Sequence, residues 1–112
     1  MSFIYLASPY SHPEPEMRVL RFNEACRVAG LLMKEGHTVF SPIAHSHAIE
    51  QTFDSIEPGP FWMKQDIPIL RHADAVYVLM LDGWDKSKGV AQEVELAKQA
   101  MIPVEYINPL KY

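Results

Sequence analysis

Glu93 and Asp66 are the two acidic side chains of this 112-residue chain whose positions point to chemistry rather than to solvent. A helix advances about 100° per residue and so sorts its side chains by face. Over residues 88 to 101, Val90, Val94, Ala97 and Met101 fall on one apolar stripe. Glu93 lies on that stripe's edge beside Ala97 and Ala100, whereas Glu95 projects almost opposite. One glutamate therefore faces in and one faces out. Ser87 is the expected N-cap, and a capping-box carboxylate would then stand at position 90, which is Val. Glu93 is too deep in the helix to cap it. An inward carboxylate is either half of a buried ion pair with Arg or Lys, or a catalytic group, here a nucleophile. Asp66 has two readings as well. It caps a short helical stretch over Ile67 to His72, or it points an oxygen into a cleft.

The elements that must position these groups read as strand, helix, strand, helix, strand, helix, strand. Phe3 to Ala7 is a short apolar run ended by Ser8-Pro9-Tyr10-Ser11, a strand followed by a loop. Glu16 to Lys34 carries helical apolar spacing at Leu20, Ala25, Val28, Leu31 and Leu32, and Gly36 follows as a C-terminal cap. Thr38 to Phe40 begins a second strand that Ser41-Pro42 ends. The next stretch is irregular, and Pro68 argues against a long unbroken helix in it. Ala75 to Leu81 is almost wholly apolar, as a central parallel strand buried on both faces must be. The helix of residues 88 to 101 and a last strand, Val104 to Ile107, complete the pattern.

This alternation predicts one domain over residues 1–112, an α/β three-layer αβα sandwich around a four- to five-stranded parallel sheet, flavodoxin- or Rossmann-like. Ligands in such sheets bind beyond the carboxyl ends of the strands, near the reversal of strand order. The loops selected by that rule are Ser8 to His12, Ser41 to His47, Asp82 to Gly89 and the segment after Ile107. They nominate Ser8, Pro9, Tyr10, Ser11, His45, His47, Ser87 and Gly89 as substrate contacts. Asp74 stands where the central strand begins, away from that edge, and is expected to be structural. His45 and His47 contact a ligand or stabilise their loop; as a metal pair they lack a third ligand at suitable spacing. Trp62 and Trp84 flank the cleft, to stack on a ring or to fill the core.

Composition excludes several classes of function. With 48% apolar and 21% charged residues the chain has the profile of a water-soluble globule. Its formal net charge is −4 and its ten Lys and Arg residues are scattered, which argues against a polymeric nucleic acid as partner. The longest apolar run is too short to span a bilayer and no basic-then-apolar leader opens the chain, so a cytoplasmic location and no membrane partner are expected. Cys26 is the lone cysteine, expected as a buried thiol. Neither a cofactor nor a metal is called for.

The spacing from Asp66 to Asp74, the apolar strand after it, and Ser87-x-Gly89-Val90-x-x-Glu93-x-x-x-Ala97 resemble the nucleoside 2-deoxyribosyltransferase superfamily, including its 2′-deoxynucleoside 5′-monophosphate N-glycosidase branch. The opening Ile4-Tyr5-Leu6-Ala7-Ser8-Pro9 is similar to the family's first strand and loop, and Ala7 to His12 matches small bacterial and phage members. The resemblance implies that Glu93 attacks C1′ of the sugar, that Asp66 protonates or orients the departing base, and that the Tyr5 hydroxyl approaches nucleophile and sugar. Tyr5 also reads as a core aromatic whose hydroxyl finds a neighbouring carbonyl. The transferases carry an acidic residue at the position of Ser87, where a carboxylate would repel a 5′-phosphate; serine removes that repulsion beside a helix N-terminus. The monophosphate hydrolases carry an arginine in the first loop, where this chain has Pro9, Tyr10, Ser11 and His12. The resemblance thus implies an N-glycosidase acting on a small nucleoside or nucleotide, assembled as a homodimer or higher homo-oligomer. Base exchange and a non-catalytic nucleotide-binding module are the alternatives.

Overall fold

The computed structural model describes residues 2–112. Its elements run β1 (Ile4–Ala7), α1 (Pro15–Lys34), β2 (Val39–Phe40), α2 (Pro42–Glu50), α3 (Gly59–Leu70), β3 (Ala75–Leu79), α4 (Lys88–Gln99) and β4 (Val104–Ile107), with 3-10 turns at Trp84–Lys86 and Pro109–Lys111. All strand pairs are parallel and the sheet order is β2-β1-β3-β4. Order reverses between β1 and β3, so the carboxyl ends of these two central strands mark the ligand edge.

Alternation along β1 divides the core. Tyr5 and Ala7 face one side with Leu70 of α3, Val76 and Val78 of β3, and Val90 and Ala97 of α4. Leu6 faces the other side with Val28, Ala29 and Leu32 of α1 and with Leu79 and Leu81. The sheet is therefore sandwiched between helical layers, as the apolar run of β3 requires. In register, Tyr5 lies opposite Phe40 on one neighbour and Val76 on the other. The α1 helix stops at Glu35, and Gly36 follows with φ of 101°, a left-handed residue that lets the chain turn back toward β2.

Four expectations need correction. Ser41 to His47 is not a loop: Ser41 caps α2 by accepting the Ala44 N–H at 3.1 Å, and Pro42 occupies the first turn. Ser-Pro, read as a strand end, is equally a helix start, since a helix's first N–H groups need no intrahelical partner. Asp66 does not cap a short stretch either. Helix α3 runs continuously from Gly59 to Leu70 with Pro68 inside it. The proline falls in the last turn, where burial of Asp66 and Leu70 holds the helix and the Arg71 N–H still reaches the Ile67 carbonyl at 3.1 Å. Cys26 is exposed. Finally, Met101 has left α4 at φ of 59° and is 91% exposed. The buried stripe of that helix is Val90, Glu93 and Ala97, which puts Glu93 at its centre rather than its edge.

Candidate active site

Glu93 is positioned by the cap of its helix. Ser87 Oγ accepts the Val90 N–H at 3.2 Å, which starts α4 where Val90, Glu93 and Ala97 all turn to the sheet. Beneath them, Tyr5 is completely buried and its hydroxyl donates to Glu93 Oε2, joining residues 88 apart in sequence. Burial pushes the Glu93 carboxyl up to about 8; the Tyr5 hydrogen bond works against that rise and the charge of nearby Asp66 adds to it. Burial, then the Glu93 and Asp66 charges, hold the Tyr5 phenol well above its ordinary range, so it stays a donor.

Asp66 projects from α3 onto the same side of the sheet. It is 7% exposed, its Oδ1 has no hydrogen-bond partner, and burial raises its carboxyl to about 6. One turn earlier on α3, the Trp62 Nε1 is buried and also unpartnered, while its ring stacks on Phe53 at 5.9 Å and 14°. Ser8, which follows β1, has a buried and unpartnered Oγ. Buried polar atoms normally pair. A buried acceptor on Asp66, a donor on Trp62 and a hydroxyl on Ser8 are thus available to a polar ligand.

The buried-ion-pair alternative for Glu93 has no counterpart here. Among the described residues the one ion pair is Arg27 with Glu24, at 2.8 Å on the surface. No group of His, Cys, Asp and Glu among the described residues could hold a metal ion. No helix of the described residues is long and apolar enough to cross a membrane.

The other nominated residues fall into three further groups. Tyr10 and His47 share a hydrogen bond of 2.6 Å, and the His47 ring stacks on Phe22 at 4.1 Å. Pro9 is buried, and Ser11 is exposed with its carbonyl taken by Arg21 at 2.9 Å. His45 is exposed on α2 and packs on Phe40, whose ring lies 5.8 Å from Tyr5. Ser87 and Gly89 stand at the start of α4, both half-buried. Trp84 packs on the core and on Tyr106 at 5.4 Å.

Arg18, Arg21, Phe22, Glu50 and Phe53 shape the site and were not nominated by the sequence. Arg18 Nη1 reaches the His12 carbonyl at 2.5 Å, and Arg21 ties the first loop to the Asp82 carbonyl at 3.0 Å. A usable signal existed for the arginines. Helical side chains lean toward the N-terminus, so Arg18 and Arg21, three apart in a helix beginning at Pro15, must fold back under the loop before it.

The four-stranded parallel sheet flanked by helices has the 2-deoxyribosyltransferase fold. Among solved structures, a 2-deoxyribosyltransferase from the psychrotolerant bacterium Bacillus psychrosaccharolyticus matches at 26% identity and a TM-score of 0.65, over 96% of this chain and 73% of that one. Comparison with curated proteins finds no match. The chain belongs to the family described as a domain of unknown function (DUF1937), whose model matches residues 2–108.

Proposed function

We propose that the protein is an enzyme that hydrolyses the N-glycosidic bond of a nucleoside or nucleoside 5′-monophosphate through a covalent glycosyl intermediate on Glu93. The observation that carries this reading is the buried Tyr5–Glu93 hydrogen bond beside Asp66, with no basic side chain to make Glu93 an ion pair. A Glu93 oxygen attacks C1′ as the bond to the base nitrogen breaks; the electron pair leaves with the base, which takes a proton from Asp66. Water then attacks C1′, returns a proton to Asp66 and releases Glu93. Tyr5 holds the attacking carboxylate in place and lowers the cost of its charge. Ser8, Pro9, Tyr10, Ser11, His45 and His47 form the substrate wall, and Ser87 with the free N–H groups of Lys88 and Gly89 favours an anionic 5′ group over a bare hydroxyl.

Base exchange is the second reading, favoured by the transferase activity of the similar solved structure. We take the working unit to be a homodimer or higher oligomer. The deciding experiment is chromatographic detection of free base from deoxy- and ribonucleosides and their 5′-monophosphates, with and without an added acceptor base, with Glu93→Ala as control. Release from a monophosphate without acceptor is the expected result. Release only with acceptor selects base exchange, and no release from any member overturns both in favour of a binding module.

A further inference from the structure

A cavity of about 220 Å³ opens beside the site between α1, α2 and the segment that follows α2, with Tyr10, Arg18, His47, Glu50 and Phe53 among its walls. Two of its walls connect it to the elements that carry the carboxylates. Tyr10 lies two residues beyond Ser8, and Phe53 stacks on Trp62, one turn before Asp66. Its volume falls below the roughly 300–1,000 Å³ of sites for drug-sized ligands and suits a single ring system.

Glu50 is the unexplained group of this cavity. It is 7% exposed, lines the cavity, and the polar neighbours that could satisfy it are engaged elsewhere: Tyr10 with His47, Arg18 with the His12 carbonyl, Gln51 with the His47 carbonyl. Its carboxylate lines the cavity without a hydrogen bond from the protein, and so offers acceptors to whatever enters. Phosphate is not what it awaits, since the carboxylates of Glu50 and Asp54 both line the cavity against one guanidinium. Arg18 uses part of a five-donor fork on His12 and keeps the rest beside the Tyr10 hydroxyl.

We infer that this cavity binds the nucleobase and that Glu50 and Arg18 select a 2-amino-6-oxopurine, the guanine pattern. The identity of the ligand as a base rests on the function proposed above. In that pattern an N1–H and an exocyclic N2 amine stand side by side as donors for one carboxylate, and O6 and N7 stand beside them as acceptors for a guanidinium. Adenine opposes both groups, setting an N1 lone pair toward Glu50 and an amine toward Arg18. Hypoxanthine keeps O6 and N1–H but lacks the amine. Tyr10 and Phe53 supply the apolar walls for the ring.

Calorimetric titration of deoxyguanosine, deoxyinosine and deoxyadenosine, with Glu93→Gln protein to prevent turnover, tests the assignment. Deoxyguanosine is expected to bind at least about tenfold more tightly than either competitor, and Glu50→Gln added to that protein should erase the preference. Affinities within threefold of one another, a preference that survives Glu50→Gln, or no binding of any nucleoside would overturn it. The nucleoside comparison needs no Glu50 variant, so it decides even if Glu50→Gln fails to fold. Base release without guanine preference would sink this inference and spare the glycosidase reading. A Glu50-dependent guanine preference without base release would do the reverse.

Discussion

Between about pH 6 and pH 8 the pair formed by Asp66 and Glu93 holds one proton, because burial raises both carboxyls and the Asp66 charge further disfavours that of Glu93. That proton rests mainly on Glu93, and the proposed reaction runs from the minor arrangement in which it sits on Asp66 and Glu93 is ionised. With two there is no nucleophile, and with none there is no acid for the leaving base. We therefore expect kcat/KM to be bell-shaped, with limbs near pH 6 and pH 8 belonging to the pair rather than to either residue. A flat profile across this range would count against the paired mechanism. Tyr5→Phe removes the donor that opposes the rise of Glu93, so the alkaline limb should move above 8. The same change should lower kcat/KM by about 10- to 100-fold, the range for a lost hydrogen bond to a charged group. A rate loss without movement of the limb would mean that Tyr5 positions substrate rather than Glu93.

Among the elements, the turn after β3 is the one most dependent on a single residue. Gly83 has φ of 89°, and a Cβ there would sit 2.8 Å from Arg21 Nη2, the group that binds the Asp82 carbonyl. Gly83→Ala should cost about 1–2 kcal/mol for the left-handed backbone, plus whatever the displaced arginine loses. Adding Arg21→Ala should then cost less than it does in the parent, an inequality that denaturant midpoints of the four proteins would reveal. The main elements were legible in the sequence because the two central strands leave unbroken apolar runs and Gly36 ends its helix chemically. Helix α2 was not, since Ser41-Pro42 marks strand end and helix start alike. Nor was the length of α3, where packing of Leu70 outweighs Pro68. For the site, helical phase predicts that Glu93 turns inward, but its bond to Tyr5 spans the whole chain and no local pattern encodes it. Glu50 and Arg18 are unremarkable helical residues until α1 and α2 meet.

For the molecule as a whole, the buried carboxyls should make stability depend on pH. Glu93 in the unfolded chain ionises near 4.5, whereas folding holds it protonated to about 8. Over that window the folded state binds the extra proton, so raising the pH weakens it, and the contribution is fully present only below the unfolded value. The raised Asp66 acts in the same direction over a narrower range. Replacing Glu93 by Gln keeps its shape and removes the titration. We expect Glu93→Gln to melt above the parent at pH 8 to 9 and near it at pH 4, while losing turnover. Equal melting temperatures at both pH values would show that burial does not raise the Glu93 carboxyl.

One contact far from the ligand edge governs all of this. Asp74 Oδ2 accepts the Phe3 N–H at 2.7 Å, while the Asp74 N–H donates to the Phe3 carbonyl at 2.9 Å. Along a strand, odd and even positions look to opposite sides, so sliding β1 by a single residue against β3 would turn Tyr5 away from Glu93 and present Leu6 in its place. The double clasp at Phe3 fixes that parity where the two strands begin. Asp74→Ala should therefore reduce kcat/KM more than its loss of thermal stability explains, with wild-type activity as the outcome that refutes it. A residue that never meets substrate would then determine whether the chain has a nucleophile at all.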